Sequence, residues 1–178
     1  MGTLNATTVN STNIITSDIS PTGGVASNQM GGVIQYVQAA HTAMTQRFTT
    51  TSSSYSASNY VVTITPKSTS SKILIHANLS CNAGSSSYIY VRVYNVTAGR
   101  YVNSEGGVTN DAMYESASGA RWGMCPVEAV DIPNSTSAQT YKLYFRSSSG
   151  SVSIYTGWSS SAANTMNFNY MSATEFSA

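Results

Sequence analysis

The chain is short of charge. Eight of its 178 residues are Lys or Arg and seven are Asp or Glu, which is 8% in all and leaves a net charge of +1. An ordinary domain carries about a quarter charged residues. So balanced a chain has no basic footprint for neutralising phosphates, and nucleic acid is excluded as an expected partner. Long apolar runs are missing too. None approaches the ~20 residues a spanning helix requires, so no membrane partner is expected. The opening MGTLNATTVNSTNIITSDIS has no cationic start followed by an apolar core, and does not read as a secretory signal. Ala6 stands where a myristoylation signal has Ser or Thr.

Side chains that do chemistry are as scarce. The chain has two histidines, His41 and His76, and two cysteines, Cys81 and Cys125, with no metal-ligand spacing among them. The cysteines read as buried thiols, a single disulfide being the alternative. There is no G-x-S-x-G and no His-x-x-x-His. Glu105, Asp111 and Glu115 share one loop region. Cleaving a glycan takes a carboxylate pair and a Ca²⁺ loop takes regularly placed oxygens, and their irregular spacing matches neither. They read as solvated charges. His76 alternates with an apolar face and reads as an outward strand residue. The expectation is no enzyme, no cofactor and no metal.

What is abundant is small and β-forming. About three residues in ten are Ser or Thr, and there are 12 tyrosines. Tyr, Val, Ile and Thr suit pleated, half-buried surfaces. The densest pattern is Tyr60–Cys81, YVVTITPKSTSSKILIHANLSC, read as two strands joined by a polar turn at Thr65–Ser71. Pro66 cannot donate to a ladder, which ends the first strand. Ile73, Ile75, Ala77, Leu79 and Cys81 fall on one face of the second.

Further strands are expected at Val33–Gln38, near Arg47–Thr50, and at Tyr88–Asn95, Arg121–Ala129, Tyr141–Arg146 and Val152–Trp158. A last one covers Thr165–Glu175, with Met166, Phe168, Tyr170 and Ser172 on one face. His41–Asn59 reads mainly as loop and Asn110–Ala120 wholly so. About eight strands, with turn signals every 8–15 residues and no alternating helices, give an all-β, jelly-roll-like antiparallel β-sandwich over residues 33–178.

Residues 1–32 differ. Leu4, Val9, Ile14, Ile15 and Ile19 are sparse and keep neither strand nor helix period. Alone they cannot offset an ordering cost of ~1–2 kcal/mol per residue. The segment reads as an extended N-terminal arm that adds strands to a partner or winds with copies of itself; the alternative is a solvating tail. Tyr88, Tyr90, Arg92 and Tyr94 form an unusual stripe on one strand face. It reads as plain sheet cover, as a contact between protomers, or as a platform for sugars, in that order. Trp122 and Trp158 read as core or interface anchors.

Several of these pieces occur together elsewhere. GGVIQYVQ, then VTITPKSTSSKILIHANLS, TYKLYFRS and the terminal NYMSATEFSA resemble a C-terminal module of structural proteins of tailed bacteriophages, notably marine and cyanobacterial ones. The resemblance covers residues 31–178. Its most specific motif is Thr63–Ile73, followed by Ala173-Thr174-Glu175; the opening Gly2–Ile14 also resembles openings of such proteins. It implies a jelly-roll-like sandwich, usually a homotrimer, displayed on a virion; it does not imply a catalytic site, and none can be carried over. The short arm, in place of a long shaft, points to a capsid decoration (cement) protein or short head fibre. That protein would be anchored on the major capsid protein or a tail or adaptor protein through Leu4, Val9, Ile14, Ile15 and Ile19, and would self-associate through Tyr88, Tyr90, Arg92 and Tyr94. The alternative is a receptor-binding short tail fibre or fibre tip recognising host surface glycan.

Overall fold

A computed structural model describes residues 32–39, 47–83, 87–102, 112–116, 121–149, 152–155 and 170–177. They form eleven strands. These are β1 (Val33–Gln38), β2 (Arg47–Thr50), β3 (Ser56–Ile64), β4 (Lys72–Ala83), β5 (Ser87–Asn95) and β6 (Arg100–Tyr101), followed by β7 (Ala112–Ser116), β8 (Arg121–Asp131), β9 (Gln139–Ser147), β10 (Val152–Tyr155) and β11 (Tyr170–Phe176). The segments Leu4 to Ile19, His41 and Trp158 belong to lie outside the described residues, as do Glu105 and Asp111 and the side chains of Glu115 and Trp122.

The strands build two antiparallel sheets. In the first, β1, β11, β4 and β8 lie side by side, and β10 and β2 extend the edge of β4 beyond β11. In the second, β3, β9 and β5 lie side by side, and β7 and β6 share the far edge of β5. Leaving out the short β2, β6 and β10, the strand orders are β1-β11-β4-β8 and β3-β9-β5-β7. Every connection between these strands except β5 to β7 changes sheet, as in a jelly roll.

The period-two patterns point inward as expected. Val62 and Ile64 of β3, Ile73 to Cys81 at alternate positions of β4, Ile89, Val91 and Val93 of β5, and Tyr141, Leu143 and Phe145 of β9 form one buried core. At roughly 1.5–3 kcal/mol for each fully buried large side chain, this layer is the main source of stability.

Three expectations are corrected. The two strands of Tyr60–Cys81 do not pair, because β3 lies in the second sheet and β4 in the first, and the Thr65–Ser71 turn crosses between them. Both apolar faces reach the same core from opposite sides. Ser56–Asn59 belongs to β3 and Ala112–Ser116 is β7, where loop was expected. Neither alternates strongly; backbone pairing with β9 and β5 sets them. In β11 the core side chains are Met171 and Ala173, not those in line with Tyr170 and Ser172. Their partners on β4, Ala77 and Ile75, fix which side faces in.

Candidate functional site

Buried ionisable groups and patterned charged faces are the usual pointers to chemistry, and the described residues hold four such sets. The first is Glu175, fully buried near the end of β11. Its Oε1 accepts the backbone N–H of Lys67 and the hydroxyl of Ser71, each at 2.6 Å. Its Oε2 accepts from the amide of Gln35, which also donates to the Thr65 carbonyl at 2.7 Å. Burial alone would raise the carboxyl's pKa, but these donors, with the Ser68 backbone, hold it below the ordinary range. Every bond is to a group that fixes the crossing turn or β1. Glu175 is a clasp.

Asp131, at the end of β8, makes a second clasp. It pairs with Arg100, and its Oδ2 accepts from Asn95 at 2.9 Å and from the Tyr141 hydroxyl at 3.0 Å. Burial, then the neighbouring Asp131 charge, pushes the Tyr141 phenol up. Asn95 accepts the Ala98 N–H at 2.9 Å, closing a turn that needs a left-handed residue and has Gly99 at φ 66°. Asp131 and Glu175 both stand opposite Ile73, one on each neighbouring strand. Two buried carboxylates thus close the same end of the core.

Cys81 and Cys125 are buried free thiols on facing strands. The neighbouring Cys125 thiol, with burial, pushes the Cys81 thiol up, and its Sγ donates to the Leu79 carbonyl at 3.7 Å. His76 lies on the outer face of β4, edge-on to the Tyr170 ring at 5.1 Å and 3.8 Å from the exposed Glu128 carboxylate. None of these sets brings a nucleophile to a base in a cleft. Among the described residues no group of three His, Cys, Asp or Glu could hold a metal.

The fourth set is the outer face of the second sheet. Register places Tyr94 opposite Lys142, Arg92 opposite Tyr144 and Tyr90 opposite Arg146. Three successive rows therefore each pair one cation with one tyrosine, in alternating order. The cause is in the sequence: Tyr90-x-Arg92-x-Tyr94 on β5 runs antiparallel to Lys142-x-Tyr144-x-Arg146 on β9. Arg146 sits 3.8 Å from the Tyr90 ring centre, and Arg92 sits 4.7 Å from that of Tyr55. Tyr94 meets Tyr144 at 4.9 Å and Tyr101 at 5.0 Å between centroids. Such contacts contribute about 0.5–1 kcal/mol each at exposed sites, so together they hold the face rigid.

All four stripe residues named from sequence lie on this face and are half-buried. The face also includes Tyr55, Tyr101, Tyr144 and Arg146, which were not singled out. Tyr144 and Arg146 were visible as the outward half of the β9 alternation. Tyr55 and Tyr101 stand just before β3 and in a two-residue strand, where no periodic signal marks them.

No protein-family model and no curated protein matches the chain. Among solved structures it is similar to a mutant VP2 protein of infectious bursal disease virus in derived T=1 particles. That match has a TM-score of 0.44 and 10% identity, over 80% of this chain and 35% of the viral one. It is also similar to the structure of the Gx strain of that virus, with a TM-score of 0.32 and 13% identity, over 74% of this chain and 37% of that one. The chain spans about a third of the length of either protein.

Two outcomes follow. Because the Glu175 carboxyl is held low in the fold, its contribution to stability is complete above the unfolded value of about 4.3 and is lost as pH falls through the folded value. Glu175→Gln should therefore be less stable than the parent at neutral pH, with the gap narrowing in acid; urea unfolding between about pH 7 and pH 3 reads this. Arg146→Ala should cost about 1 kcal/mol in the same assay, through its contacts with Tyr90 and Tyr55.

Proposed function

We propose that the chain is a virion structural protein, a homotrimeric capsid-decoration (cement) or short head-fibre protein. Its residues 1–32 anchor it to another virion protein, the major capsid protein or a tail or adaptor protein, through Leu4, Val9, Ile14, Ile15 and Ile19. One observation carries this reading. The two stretches that bear the resemblance to phage structural modules, Thr63–Ile73 and Ala173–Glu175, are a single physical unit, because Glu175 holds the turn that the first stretch forms. A motif split across more than a hundred residues is thereby explained as one device of one fold.

In this reading the sandwich is a rigid body with no chemical step to perform. The Tyr/Arg face supplies contact with neighbouring protomers, since Tyr and Arg are favoured at interfaces. Residues 1–32 supply attachment, adding strands to the partner with Leu4, Val9, Ile14, Ile15 and Ile19 as the apolar contacts. The same face favours a second reading: fixed rings interleaved with guanidinium groups would also suit stacking against host glycan, as in a receptor-binding short tail fibre.

Virions that lack the protein should lose integrity under heat or osmotic shock that complete virions survive; equal robustness contradicts cementing. Removing residues 1–31 should leave a folded, soluble trimer that no longer attaches to particles, and loss of folding contradicts the arm. Inhibition of adsorption by purified protein would favour the fibre reading.

A further inference from the structure

A threefold ring closes by heterologous contacts, in which one patch of each copy meets a different patch of the next. If the Tyr/Arg face is one such patch, the ring needs another, and the first sheet provides it. Strand β1 is the outermost strand there and, among the described residues, pairs with β11 alone. Its sequence VIQYVQ has no charge and no Pro. Edge strands of monomeric proteins are usually blunted by Lys, Pro or a bulge. Here a register shift lies between Val33 and Gln35, and Gln35 to Gln38 is regular. Val33 is 59%, Ile34 42% and Tyr36 57% exposed. Tyr36 also begins a row that crosses the outer face through Thr174, Leu74 and Val130. An uncharged edge joined to an apolar strip marks a contact surface.

We propose that β1, through its outer edge and the side chains of Ile34 and Tyr36, seats against the Tyr/Arg face of the next copy. This rests on the homotrimer reading and names the second half of its interface. The two patches are chemically complementary. The edge presents a row of backbone N–H and carbonyl groups together with apolar side chains, and carries no charge of its own. The opposing face presents the Lys142 ammonium as a donor for carbonyls, the phenol oxygens as acceptors for N–H groups, and tyrosine rings to cover Ile34 and Tyr36. The directions also suit a ring, because an edge points along its sheet whereas the Tyr/Arg face points across the sandwich. Two patches aimed back to back would stack copies into a filament instead.

The test uses the full chain with single cysteines added. Cys81 and Cys125 are buried, so added surface thiols can be read apart from them. Tyr36→Cys is co-expressed with Tyr90→Cys, and in a second pair with Tyr144→Cys, followed by mild oxidation and mass-spectrometric mapping. Covalent pairs joining position 36 to position 90 or 144 are expected in the mixtures, with none when Tyr36→Cys is oxidised alone. Tyr36→Lys, at an exposed position, should keep the parent circular dichroism and lower the trimer fraction at least tenfold. Links of 36 to 36 would overturn the proposal by showing that β1 meets β1. So would an intact trimer in which no mixture links and Tyr36→Lys changes nothing. A monomeric wild-type chain would instead overturn the homotrimer reading beneath it.

Discussion

The buried carboxylate of Glu175 is the interaction on which the rest of the structure depends. It gathers an edge strand, a turn between sheets and the penultimate strand position around one charge. A charge taken out of water is costly unless hydrogen bonds replace its hydration, and here backbone and side-chain donors surround it. Removing it would leave the buried Ser71 hydroxyl without its acceptor, at about 1–3 kcal/mol, and would release the Lys67 N–H and the Gln35 amide from the turn. Asp131 repeats the arrangement on the far side of Ile73. The apolar core is therefore sealed at one end by two satisfied acids rather than by further hydrocarbon.

That seal leaves both outer faces free for other work. The core side chains all point inward, so nothing in the hydrophobic layer constrains what the outer rows carry. The second sheet uses its rows for alternating cations and tyrosines. The first uses its margin for an uncharged strand with exposed Ile34 and Tyr36. Among the described residues the buried carboxylates fasten turns and the two thiols pack in the core. The proposed arm and ring contacts would use the outer faces.

Much of this was legible in the residues. Alternation at Ile73 to Cys81, Ile89 to Val93 and Tyr141 to Phe145 shows which side of each strand faces the core, because a strand's side-chain period is two. Alternation says nothing about which strand lies alongside. The stretch Tyr60–Cys81 shows the consequence: its turn was recognisable, yet its crossing between sheets is fixed by Glu175, over a hundred residues later. The Tyr/Arg stripe was visible on β5 alone, and its pairing with Lys142, Tyr144 and Arg146 appears only once the antiparallel register is known. In Thr165–Glu175 the row Met166, Phe168, Tyr170 and Ser172 suggested one parity, while Met171 and Ala173, on the other, lie in the core.

The central claim, that Glu175 fastens the crossing turn, can be read at one atom. Lys67 lies in an exposed polar turn, where a backbone N–H would ordinarily exchange quickly with solvent. If its N–H is held by the buried carboxylate, amide hydrogen exchange followed by NMR should show Lys67 protected to the level of the β4 core amides, and Glu175→Gln should weaken that protection. Exchange of Lys67 at the rate of an open turn in the wild-type chain would contradict the account.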